Sequence, residues 1–177
     1  MPEMFLSVEK RVLIAYREFF GEEYAPSQTQ NTDIHVRAHK MCYLMSRIDC
    51  DIIDDGFVWN TFGPFSVDLQ EVLKQVDSKH NALQNFYKNQ TPNDILDADI
   101  LEGIERLKNG LQVSSHKENS RHWVELLASL AFIAHSELPN SEFDYINAEL
   151  KDRKSTYECD QENKEAWVLL NQLGVVN

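Results

Sequence analysis

Apolar residues recur at three- and four-residue spacing along most of this chain, and only six glycines and five prolines interrupt its 177 residues. That period is one face of an α-helix, whereas a half-buried strand alternates at every second position. The chain is therefore expected to fold as an all-α single domain over residues 1–177. Phe5, Val8, Val12, Tyr16 and Phe19 share a face from Met4 to Phe20, with Gly21 as the stop. Residues 25–31 read as a polar loop. Thr32 or Asp33 then caps a helix that buries Ile34, Ala38, Met41, Cys42, Met45 and Ile48 and leaves Arg37, Lys40 and Arg47 outside. Ser66 caps a helix with Leu69, Val72, Leu73 and Val76 inward, and Thr91, Pro92 and Asp94 open another that runs through Leu96, Ile100, Ile104 and Leu107 to Gly110. After a surface loop at 112–119, Ser120 caps the most apolar stripe, Trp123, Leu126, Leu127, Leu130, Ile133 and Ala134, the expected central helix. Pro139 lies near the start of a helix carrying Phe143, Ile146 and Leu150. Asp160 caps the last, with Ala166, Trp167, Leu170 and Leu173 on its face and Gly174 as C-cap.

One stretch breaks the period. Phe57, Val58, Trp59, Thr61 and Phe62 are β-formers that follow the turn signal Asp54-Asp55-Gly56, which predicts a short hairpin at about residues 52–62, closed by Gly63-Pro64. The aromatics Phe57, Trp59, Phe62 and Phe65 are denser here than a loop needs. They either pack in the core or line a docking edge, because aromatic side chains serve as interface anchors. The partner-binding candidates are accordingly Trp59, Phe62, Gly63, Pro64 and Phe65, with Gly63 and Pro64 holding the stretch rigid.

Composition narrows the function. Lys and Arg number 17 against 29 Asp and Glu, a formal net charge of −12 that argues against binding a phosphate backbone, so no nucleic-acid partner is expected. The outer face at 94–105, with Asp94, Asp97, Asp99, Glu102 and Glu105, is a solvated surface or a receiver for a basic partner. No apolar run reaches the length of a membrane span and no basic leader precedes one, so a cytoplasmic protein is expected. Cys42, Cys50 and Cys159 include no CxxC pair, which fits a reducing compartment, and Cys42 and Cys50 read as core or half-buried thiols. There is no GxSxG elbow and no glycine-rich phosphate loop. His35 and His39 lie four apart and share a face that could ligate a metal, but Val36 stands where a zinc hydrolase helix carries Glu. Asp49, Asp51, Asp54 and Asp55 lack the spacing of a calcium loop and read as a solvated turn. The expectation is a protein with no catalytic site, no metal and no cofactor.

Several segments together resemble one family. His39-Lys40-Met41-Cys42-Tyr43-Leu44-Met45 is similar to an "HKLxYLL" helix, and residues 57–66 followed by Asp68-Leu69 are similar to an "FxWxxYGPFSxxL" stretch. Trp123-Val124-Glu125-Leu126-Leu127-Ala128-Ser129-Leu130 resembles an "LELLASIxYL" helix. Lys151-Asp152-Arg153-Lys154 resembles an "LKxRKP" end, and Glu165-Ala166-Trp167-Val168-Leu169-Leu170 a final "EAWxLL" helix. These are marks of the YwgA-like proteins, related to the SocA-like or Panacea antitoxin domains, and the resemblance is clearest over residues 32–177. Phe62 stands where Tyr is usual, and Ser155 replaces the Pro after the basic cluster. The resemblance implies a helical, non-enzymatic, protein-binding regulator, antitoxin-like or associated with phage and defence loci. Its partner would be a protein such as a toxin encoded by a neighbouring gene, and an acidic domain is suited to mask a basic one. Three rival readings accompany it. One is a metal-dependent hydrolase using His35, His39 and nearby acids, and another an acidic DNA-mimic inhibitor presenting the 94–105 face. The third is a winged-helix DNA-binding regulator, whose 66–77 helix would offer only Lys74 as a base.

Overall fold

The apolar stripes become helices buried along those stripes. The computed structural model describes residues 2–25, 32–53, 56–87, 90–112 and 120–177. In chain order these form α1 (Pro2–Phe20), α2 (Thr32–Ser46), β1 (Val58–Asn60), β2 (Gly63–Phe65), α3 (Val67–Ser78), α4 (His80–Tyr87), α5 (Ala98–Gln112), α6 (Ser120–Phe132), α7 (Phe143–Arg153) and α8 (Asp160–Leu173). The structure is 72% helical with, among the described residues, one antiparallel two-stranded hairpin, so it is all-α. Helix α6 is the centre, as its composition predicts. Trp123, Leu126, Leu127 and Leu130 are buried, and α2, α7, α8 and β2 all pack on it. Helix α1 closes the other side against α2, α3 and α5. Among the described residues no helix is long and apolar enough to cross a membrane.

Local chemistry explains where elements end. Asp49, one of the acidic run, takes a left-handed conformation (φ 59°) after α2, and the Cys50 N–H donates back to Met45 O at 3.0 Å, the 6→1 bond of a Schellman stop. Gly174 does the same for α8, at φ 72° with Val175 N–H on Leu170 O. Ser66 caps α3 as expected, its Oγ accepting from the Leu69 N–H at 3.2 Å.

Five expectations are corrected. The hairpin spans Val58–Asn60 and Gly63–Phe65, so it turns at Thr61-Phe62, and Gly63-Pro64 opens its second strand rather than closing it. Thr61 and Phe62 keep negative φ while Gly63 sits at φ 91°, the pattern of a turn followed by a left-handed residue. Lys40 does not lie outside α2; it is 2% exposed, while Arg37 and Arg47 are half-buried. Thr91 and Asp94 do cap each other, but over a single 3₁₀ turn (Pro92–Asp94). The α-helix restarts at Ala98 and runs through Gly110, where a Cβ would meet Leu173 Cδ2 at 2.5 Å. Pro139 falls in a turn after a π-helical segment (Ile133–Glu137), and α7 begins only at Phe143. Asp160 is the first residue of α8 rather than its cap, and its carboxylate instead receives Asn147 Nδ2 and Lys151 Nζ, both at 2.7 Å. Helix α4, with two turns too short to show a period, has no counterpart among the sequence expectations. The expected loop residues 26–31 and 113–119 and the turn residues Asp54 and Asp55 lie outside the described residues.

Candidate functional site

The hairpin is fastened to the helical body by polar side chains that the apolar stripes do not account for. Lys40 of α2 extends beneath β2, where its Nζ donates to Pro64 O at 2.7 Å. Burial pulls this ammonium down to a pKa of about 7, with Glu125 holding it up and Lys154 and Arg121 pressing it further down. One residue earlier, His39 Nδ1 receives the Ser66 N–H at 3.2 Å. A backbone amide can only donate, so this bond fixes the neutral tautomer, and Nε2–H donates to Gln70 Oε1 at 3.0 Å. The ring stacks on Phe65, centroids 4.5 Å apart, and burial lowers its pKa to about 4 against the pull of Gln70. Gln70 Nε2 then donates to His35 Nδ1 at 3.2 Å, and His35 Nε2 and the Tyr24 hydroxyl both meet the Asp77 carboxylate, at 2.9 and 2.7 Å.

His35 and His39 therefore do share a face, and Gln70 joins them into one chain of hydrogen bonds that uses both nitrogens of each ring. Among the described residues no group of three His, Cys, Asp or Glu side chains is placed to hold a metal ion. Burial pushes the Cys42 thiol up to about 12, away from the reactive thiolate, and Cys50 donates to Asp99 O at 3.4 Å.

A second cluster lies on α6 below the turn. Glu125, 9% exposed, accepts Lys154 Nζ at 2.5 Å, with Arg121 Nε at 4.0 Å, and its charge helps to raise the pKa of the nearby Tyr157 hydroxyl, which burial raises most. Burial holds the Lys154 ammonium below its usual range, and Glu125 opposes that shift. One turn further along α6, Ser129 lies against Gly63. A Cβ on Gly63 would sit 2.6 Å from Ser129 Oγ, and both Lys40 Cε and Lys154 Nζ are 3.7 Å from the same point. Gly63 is thus required twice, for its positive φ and for this approach. Gly63→Ala is expected to cost about 2–4 kcal/mol from left-handed strain plus overpacking, read as a lowered urea midpoint. A loss under about 0.5 kcal/mol, within the range of an ordinary surface change, would contradict it.

No protein-family model, curated protein or solved structure matches the chain. Of the five partner-binding candidates, Gly63 and Pro64 are buried beneath the turn. Trp59 is half-buried, its ring against Phe132 at 5.8 Å and under the Arg153 guanidinium at 4.8 Å, and Phe65 is half-buried against His39. Phe62 faces outward, 38% exposed, with Arg121 over its ring at 5.4 Å. Two outward residues were not singled out from sequence, Val58 (54% exposed) and Val67 (61%). Strand alternation carries the signal for Val58, because a neighbour of the inward Trp59 must face the other way.

Proposed function

We propose that this chain is a non-enzymatic protein-binding regulator, of the antitoxin-like or phage- and defence-associated kind that the YwgA-like resemblance implies, acting in the cytoplasm on a protein such as a toxin encoded by a neighbouring gene. The observation that carries this reading is the concentration of exposed apolar side chains at the hairpin. Val58, Phe62 and Val67 are three of the five large apolar residues exposed among those described, and ten residues of chain contain them all. Exposed apolar side chains grouped at one turn suit docking, since covering them removes apolar surface from water. Four of the segments that carry the resemblance also meet here: Lys40, Gly63-Pro64 at the start of β2, Glu125 with Ser129, and Lys154 form one contiguous support. The histidine chain supports the same reading over a hydrolase, because its ring nitrogens are committed to protein partners. Helix α3 makes a poor DNA reader: it exposes Asp68 and Glu71, and its Lys74 is paired with Glu71 at 2.6 Å.

Phe62→Ala and Val58→Asp should leave thermal stability near the wild-type value, both side chains being exposed, while weakening capture of the neighbour-encoded protein roughly 30-fold or more, the ~2 kcal/mol of a central anchor. Trp59→Ala should instead lower stability. Undiminished capture by both outward variants would remove the hairpin as the docking edge.

A further inference from the structure

One arginine stands apart from the rest. Each of the others donates to a carboxylate or a backbone carbonyl: Arg11 to Asp51, Arg17 to Glu18, Arg37 to Glu22, Arg106 to Leu173, Arg121 to Asp33 and Arg153 to Glu149. Arg47, just after α2, does neither. It is half-buried, its Nε lies away from solvent without a hydrogen-bond partner, and among the described residues its side chain forms no ion pair. Guanidinium groups stay charged in proteins, and a charge drawn partly out of water without a counter-charge is costly. Arg47 lines a pocket of about 140 Å³, where a single water needs only roughly 15 Å³ of such space. No Asp or Glu lines it. His135 and Asn140 continue its polar side, and Ala134, Trp167 and Val175 supply an apolar one. Ala134 and His135 come from the π-helical segment, whose Leu138 N–H donates to Ile133 O at 2.8 Å, a widened turn of the kind that recurs at functional sites. The acid of that segment, Glu137, is engaged elsewhere, by Arg153 at 3.4 Å.

We propose that this pocket binds a small monocarboxylic acid with an apolar body, its carboxylate taken by the Arg47 guanidinium and its body lying against Trp167 and Val175. The pocket shares no residue with the hairpin, so the inference stands apart from the protein-binding reading. Three features select the ligand. The planar fork of a guanidinium presents parallel donors that match the two oxygens of a carboxylate. One guanidinium balances one negative charge, whereas a phosphate group carries nearly two and meets more repulsion from a chain of net charge −12. A neutral molecule would cover the guanidinium without pairing it, which adds to the cost of its burial instead of relieving it.

Benzoate is the probe, with benzamide as its uncharged counterpart of the same shape and inorganic phosphate as a second anion. Titration followed by nitrogen–proton correlation spectra should give saturable shifts centred on the amides of residues 134–141 and on the Trp167 indole, with a Kd of about 1 mM or tighter, within reach of so small a ligand. Benzamide and Arg47→Gln should each weaken binding about tenfold or more, the range of a charge-assisted hydrogen bond. Asn140→Asp adds a carboxylate to the lining at an exposed residue whose left-handed backbone (φ 62°) Asp also tolerates, and it should weaken benzoate in the same direction. The spectra themselves show whether each variant is folded, and Asn140→Asp carries the test should Arg47→Gln unfold. Absence of saturable shifts in the wild type, benzamide binding as tightly as benzoate, or full binding by either folded variant overturns the proposal. Phosphate binding more tightly than benzoate overturns it in favour of a general anion site. Binding of an N-acetylated dipeptide with a free terminal carboxylate, but not of benzoate, overturns it in favour of a chain end.

Discussion

Glu125→Ala is expected to lower the stability of the fold by about 3–5 kcal/mol, the cost of leaving a buried charge without its partner. Lys154 and Lys40 are 9% and 2% exposed, and the carboxylate of Glu125 is what opposes the desolvation of both ammonium groups. Against a typical total of ~5–15 kcal/mol this is a large share, and the hairpin, tied down through Lys40, should loosen first. The double change Glu125→Leu with Lys154→Met removes both charges of the pair and should recover part of the loss, because apolar replacements of a buried pair are often neutral and Lys40 also loses the repulsion of Lys154 along with the carboxylate. Urea unfolding at pH 7 reads both variants. A single-variant loss under about 1 kcal/mol, or a double variant no better than the single, would show that the pair is more hydrated than its burial indicates.

Acid should weaken the protein through His39. The ring has a pKa of about 4 in the fold against 6.5 when exposed, so between those values the unfolded chain binds the extra proton and stability falls as pH falls. The contribution is complete above pH 6.5, is lost as pH drops through 4, and amounts to about 3 kcal/mol at ~1.4 kcal/mol per pKa unit. Structurally, a proton on Nδ1 would confront the Ser66 N–H and break the bond that ties the base of the hairpin to α2. Carboxylates also titrate near pH 4, so the informative quantity is the stability difference between wild type and His39→Gln. That difference should be largest at pH 7 and shrink toward zero at pH 4. A gap that stays constant across the range would assign the acid response to other groups.

The helices were legible because their information is local. In α6 each buried residue lies three or four places from the next, so the stripe at Trp123, Leu126, Leu127 and Leu130 announces both the helix and its central position. Ser66 and Gly174 were legible for the same reason, since a cap bonds the backbone of its own neighbours. The candidate site was legible only in part. Trp59, Phe62 and Phe65 were marked by aromatic density, but which of them faces outward depends on a register that puts the turn at Thr61-Phe62. Asp54-Asp55-Gly56 offered an equally good local turn signal, and only the close approach of Gly63 to Ser129 and the bond from Lys40 to Pro64 O decide between them.

Sequence by itself determined the helical class, the central helix and the caps at Ser66 and Gly174, because each follows from interactions within about one turn of chain. Tertiary structure decided what the polar residues do. Lys40 sits at the shoulder of an amphipathic helix, where a lysine ordinarily reaches water. It is buried here because a carbonyl 24 residues away receives its ammonium, and His39 is held neutral by an amide 27 residues away and an amide side chain 31 away. A buried polar group is tolerated only when its partner is in place, and such partners are brought together by the packing of α2, α6 and the hairpin, which no local pattern encodes.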